Sequence, residues 1–168
     1  MSDTSSTGAE SPLSEEKIEA LFEALGRGAS VHEASGIPSE VLEAGYCLAF
    51  SLYNAGNFKD AGVLFQALCV YNHHDERFWN GLGGCRQMNN DLAGAADAYG
   101  MAAYAGAFAD PAPLVHAGIC ALKMGGKENA AACFDAALEL GDGKNAAHAA
   151  YRERAKAMLE LVREGGGA

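Results

Sequence analysis

Positive charge is scarce in this chain. Lysine and arginine together number 12 against 22 aspartates and glutamates, a formal net charge of −10. So acidic a chain is repelled by phosphate backbones and anionic lipid, which argues against direct binding of nucleic acid or membrane. No apolar run approaches the ~20 residues needed to span a bilayer. β-Branched residues are few beside abundant alanine and glycine, which favours helices packed through small side chains over sheets. The five cysteines (Cys47, Cys69, Cys85, Cys120 and Cys133) form no CxxC pair and no close-spaced Cys/His set. Their odd number, and a Ser/Thr-rich acidic N-terminus without a signal pattern, lead us to expect free thiols in a reducing cytoplasm. Most should be buried as small hydrophobes. The 168 residues, 49% of them apolar, suffice for one domain whose core needs neither metal nor disulfide.

Catalytic signatures are missing as well. Gly81-Leu82-Gly83-Gly84 lacks the Lys-Ser/Thr of a phosphate loop and does not follow a strand, so it reads as a close helix approach. His73-His74-Asp75 is not a metal set: adjacent histidines point apart, and Asp75 is placed to cap a helix. No nucleophile and base stand at a recognisable spacing. We therefore expect neither enzyme activity nor a cofactor nor a metal.

What is present is helical. Residues 1–13 are polar and aperiodic, and read as a disordered arm. Ser14 offers an N-cap with Glu15 and Glu16 in the first turn. Ile18, Leu21, Phe22 and Leu25 then form one apolar face of a short helix ended by Gly26 and Gly28. Such a helix is marginal alone and must dock on the body of the domain or on a second copy. Residues 29–36 form a connection with room for a helical turn. Pro38 suits the start of the next helix, which runs to about Asn54.

From there the chain repeats. Gly56, Asn90 and Gly125 are equivalent turn residues at spacings of 34 and 35. The same shifts align Leu48 with Leu82 and Ala117, Ala49 with Gly83 and Gly118, Ala61 with Ala95 and Ala130, and Phe65 with Tyr99 and Phe134. Small residues let paired helices cross closely, and the aromatic fills the space beside them. Trp79 supplies a large early aromatic. This pattern resembles the tetratricopeptide repeat. The expected fold is all-α: a superhelix of three helix pairs, at about 42–73, 76–107 and 111–142. Pro111 opens the third pair. An N-terminal helical region precedes the pairs, and a capping helix follows at 144–163, with Ala147, Tyr151, Ala155, Met158 and Leu159 inward and its charges outward. One domain thus spans 14–163, and 164–168 form a flexible tail.

In such arrays the first helix of each pair lines the concave side. Tyr46, Phe50 and Tyr53 share one face there, at i, i+4 and i+7. The register assigns packing to Leu48, Ala49 and Leu52, which leaves the aromatic stripe for a groove rather than the core. Tyrosine suits such a surface, offering large contact area with a polar tip. The equivalents are Asn80, Gly84 and Gln87 in the second pair, and Val115, Ile119 and Leu122 in the third.

The motifs LAF-x2-Y-x2-G-x-F-x-DA (48–61), FQALCV (65–70) and D-x-RF-x2-GLG-x-CRQ (75–87), with HAGIC at 116–120, are similar to those of the translocator chaperones of bacterial type III secretion, class II. The resemblance covers roughly residues 15–160. It implies a cytosolic chaperone that keeps hydrophobic translocator proteins soluble and export-competent. It further implies that an extended Pro/Leu-containing client segment, of Pro-x-Leu-x-x-Pro type, lies along the groove, with Tyr46, Phe50 and Tyr53 matching groove aromatics. Family members often dimerise through the N-terminal helical region, which makes Ile18, Leu21, Phe22 and Leu25 candidate contacts of a homodimer. Some also act with a transcriptional regulator. The competing readings are a generic tetratricopeptide scaffold, whose groove would carry charge to clamp a carboxylate, and a co-activator that partners a regulator without touching DNA.

Overall fold

The computed structural model describes residues 14–164; the arm expected at 1–13 and residues 165–168 of the expected tail lie outside the described residues. Glu164 is the last residue of the final helix. Among the described residues the chain is helical without strands. The order is α1 (Glu15–Gly26), α2 (Val31–Ala34), α3 (Ser39–Asn54), α4 (Phe58–Tyr71), α5 (Glu76–Met88), α6 (Leu92–Ala105), α7 (Ala112–Lys123), α8 (Lys127–Leu138) and α9 (Ala146–Glu164).

Local sequence sets these boundaries. Ser14, Asn57, Asp75 and Asp91 cap α1, α4, α5 and α6 by accepting from backbone N–H groups of the first turn, each such cap typically stabilising by ~1 kcal/mol. Pro38 and Pro111 stand at the N-cap positions of α3 and α7. The three equivalent turn residues share one conformation: Gly56, Asn90 and Gly125 have φ of 80°, 64° and 83°. Only glycine, or asparagine at modest cost, adopts this left-handed backbone readily.

The pairs α3/α4, α5/α6 and α7/α8 stack in sequence, and α9 closes the far end against α8 and α7. Glycines allow the close crossings. A Cβ on Gly83 would stand 2.8 Å from the Tyr99 ring, and one on Gly118 would stand 2.6 Å from the Phe134 ring. Ala61, Ala95 and Ala130, at one repeat position, are fully buried, as are Phe65 and Phe134.

Leu48, assigned to packing by the register, is 55% exposed, whereas its equivalents Leu82 and Ala117 are buried. Leu82 packs in the cluster with Phe65 and Leu68 of the preceding pair, and Ala117 with Ala95 and Tyr99 of its own predecessor. Among the described residues only α1 and the single-turn α2 precede α3, and the same face of α3 stays open. In α9, Ala155, Leu159 and Val162 are buried, while Ala147 in its first turn is exposed.

Candidate binding groove

The concave side holds a groove of about 430 Å³, walled by α3 and α5 and closed at its far end by α7 and α9. Tyr46, Phe50 and Tyr53 enter it from α3, and Asn80, Gly81 and Gly84 from α5. Tyr46 and Phe50 stack with centroids 6.0 Å apart and planes at 18°. Their roles differ, however. Tyr46 also meets Phe65 edge-on at 6.0 Å and Phe78 at 5.9 Å, so part of its ring belongs to the core. Phe50 is 49% exposed. Tyr53 meets Phe58 edge-on at 5.1 Å and lies over Gly84, where a Cβ would be 3.2 Å from its ring.

Arg77 closes the near end. Its guanidinium donates to Glu43 and Asp75 and lies 4.7 Å above the Tyr46 centroid. Hydrogen bonds to Asp75 and then Glu43 hold its proton more firmly than an ordinary guanidinium's. At the far end His116 stacks on Tyr99 at 5.1 Å and meets Tyr151 edge-on at 5.7 Å. Burial, and secondarily the charge of Arg154, push the His116 pKa below its usual value; Asp110 opposes them in part. The imidazole is therefore neutral near pH 7. The wall is aromatic and nearly uncharged, a surface suited to apolar groups.

Five of the nine expected groove residues, Tyr46, Phe50, Tyr53, Asn80 and Gly84, line this cavity. Gln87 is half-buried and accepts a hydrogen bond from the Tyr99 hydroxyl at 2.9 Å, supporting the wall from behind. Val115 is fully buried with Phe134 and Leu159, and Ile119 and Leu122 pack against the same cluster. This corrects the third-pair assignment: α9 covers that face of α7, so these side chains form the seam with the cap. Ala112 and His116 line the groove in their place. Arg77, His116 and Tyr151 were missed as wall residues, although Arg77 and His116 stand in the motifs and Tyr151 was placed inward on the cap.

His74 and Asp75 are engaged structurally. His74 Nε2 donates to the Gly28 carbonyl at 2.9 Å, tying the N-terminal segment to the α4–α5 turn, and Asp75 caps α5. Of the N-terminal apolar face, Phe22 is 67% and Ile18 37% exposed, with Leu21 and Leu25 half-buried. A second, apolar hollow of about 250 Å³ lies between α3 and α4, lined by Ile37, Val41, Leu68 and Tyr71 among others.

No family model matches the chain. It is 34% identical over 139 residues to the low calcium response locus protein H of Yersinia pestis, covering 81% of this chain and 80% of that one. A type III secretion complex from Aeromonas hydrophila contains a chain of the same fold, with a TM-score of 0.81 and 33% identity over 88% of this chain and 97% of that one. The Yersinia enterocolitica type III secretion chaperone SycD, solved with a peptide of the translocator YopD, superposes with a TM-score of 0.71. It is 35% identical over 77% of this chain and 98% of its own. The chain belongs to the type III secretion translocator chaperones. In this translocator chaperone the aromatic stripe of α3, the Arg77 end and the His116 end form one continuous wall. Among the described residues no helix is long and apolar enough to cross a membrane.

Proposed function

We propose that this chaperone works in the cytoplasm, without enzymatic activity, and binds hydrophobic translocator proteins of a type III secretion system. An extended Pro/Leu-containing segment of the client lies along the groove. The observation that carries this reading is the aromatic concave wall, with Phe50 presented to solvent beside the stacked Tyr46. Proline-rich segments lose little entropy on binding such a wall, because they are already extended. Holding that segment keeps the client from aggregating or inserting early. With no nucleotide to drive release, the affinity must let the export machinery strip the client away. A generic scaffold clamping a carboxylate fits less well, since the one formally charged side chain of the described wall, Arg77, is already engaged by two acids.

The test is co-expression with a translocator followed by co-purification and titration. Phe50→Ala should weaken capture by ~2 kcal/mol, about thirtyfold, with helicity unchanged. Capture undiminished in Phe50→Ala would remove the groove from the mechanism.

The exposed Phe22 and Ile18, together with the apolar hollow between α3 and α4, favour a homodimer as a second property. Light scattering of Phe22→Glu should then show a smaller mass than wild type at equal concentration; an unchanged mass excludes α1 from any interface.

A further inference from the structure

We propose that Arg77 is the positioning residue of the groove: Glu43 and Asp75 hold its guanidinium over the Tyr46 ring and cancel its charge, so that the groove accepts uncharged segments and disfavours acidic ones. The proposal rests on the groove being where the client segment binds, and it adds what that segment must be.

Three observations converge on it. First, the guanidinium bridges two elements. Nη1 and Nη2 donate to Oε1 and Oε2 of Glu43 on α3 at 3.3 and 2.9 Å. Nε and Nη2 donate to Asp75, the N-cap of α5, at 3.1 and 2.8 Å. The clamp therefore spans the first two helices of the concave wall. Second, it lies over an aromatic ring. The guanidinium carbon lies 4.7 Å from the Tyr46 centroid, and Tyr46 in turn stacks on Phe50. The linked contacts Arg77–Tyr46–Phe50 set the orientation of the aromatic wall before any client arrives. Lysine could not replace it, since a point charge on a flexible stem neither forks between two carboxylates nor lies flat on a ring. Third, the charges do not balance. One guanidinium faces two carboxylates, in a chain whose formal net charge is −10. No other side chain lining the groove among the described residues carries a formal charge.

Arg77 and Glu43 are about half exposed. Ion pairs as exposed as this contribute little to stability. The consequence of the arrangement therefore lies in the groove's shape and charge rather than in the fold. A client residue bearing a carboxylate near Tyr46 meets a local excess of negative charge, and finds the one cation already bonded to two carboxylates. A neutral segment meets a preorganised aromatic surface, and the cost of ordering that surface has been met in advance.

The experiment uses the full chain and short capped peptides containing one Pro-x-Leu-x-x-Pro run. One peptide has neutral flanks, and the others carry a single Asp at each non-anchor position in turn. Wild type should bind the neutral peptide at least as well as every acidic one. Arg77→Lys should weaken the neutral peptide about tenfold at an unchanged melting temperature. That loss should largely disappear in a Tyr46→Leu background, because the two residues act together. Glu43→Gln leaves one carboxylate against the guanidinium. The best acidic peptide should then gain about threefold relative to the neutral one, the size of one unit charge at ~7 Å near water. A residue serving only the fold would not move that ratio. Equal affinities of Arg77→Lys and wild type, or a ratio unchanged in Glu43→Gln, would overturn the proposal. Failure of wild type to bind any of these peptides would instead withdraw the groove reading itself, and this proposal with it.

Discussion

Gly81 and Gly100 both lie inside helices, yet alanine should act on them with opposite sign. At Gly81 of α5 a Cβ would come closer than 3.0 Å to three carbons of the Phe65 ring, and Phe65 is itself fully buried between Tyr46 and α5. Restoring ordinary contact requires ring and helix to part by about 1 Å, an overpacking that costs roughly 2 kcal/mol. Against it stands the gain in helix propensity from glycine to alanine, about 1 kcal/mol. The net expectation is a loss of about 1 kcal/mol. At Gly100 of α6 nothing lies within 4 Å of the added Cβ, so the propensity gain of up to about 1 kcal/mol acts alone. The two variants should therefore differ by about 2 kcal/mol, or roughly 6 °C in melting temperature for a chain of this length. Thermal and urea unfolding followed by far-UV circular dichroism measure this directly. Since Phe65 also lines the groove, Gly81→Ala should weaken client binding as well. Equal stabilisation by the two substitutions would refute the account of Gly81 as a close-approach position.

Three further outcomes follow from the same structure. Tyr46→Ala should destabilise by about 3 kcal/mol, because its ring packs on Phe65 and Phe78, whereas Phe50→Ala should cost under about 1 kcal/mol in denaturant titration. The His116 pKa is depressed in the folded state, so its stabilising contribution is full above the unfolded value near 6.5 and is lost as pH falls from there through the folded value. Melting temperatures measured from about pH 7.5 to about pH 5.5 should fall more steeply for wild type than for His116→Gln. A thiol reagent should label exposed Cys47 in the native protein. Buried Cys69 and Cys85, whose pKa values burial pushes up to about 12 and about 11, should react only on unfolding, as peptide mapping of the labelled chain would report.

The chain itself carried a great deal. The 34- and 35-residue spacings, the caps at Ser14 and Asp75, and the small residues beside Phe65, Tyr99 and Phe134 are local or periodic signals. Such signals are written in residue type and position, because helix geometry turns spacing into a face without any knowledge of neighbours. The motifs through α3–α5 pointed to the family on the same footing. They also brought Tyr46, Phe50 and Tyr53 onto one stripe.

What the tertiary structure decided was which of those faces is covered, and by what. Leu48 and Leu82 occupy one repeat position, yet only Leu82 has a preceding helix pair to bury it. Val115 was equivalent to Tyr46 by register, yet α9 lies over it and moves the third pair's contribution to Ala112 and His116. Arg77 looked like one residue of a motif until α3 brought Glu43 and Tyr46 to it from 34 and 31 positions away. A repeat states what each unit presents. Burial and pairing belong to the stack, because they depend on which neighbour arrives at each end and at what angle.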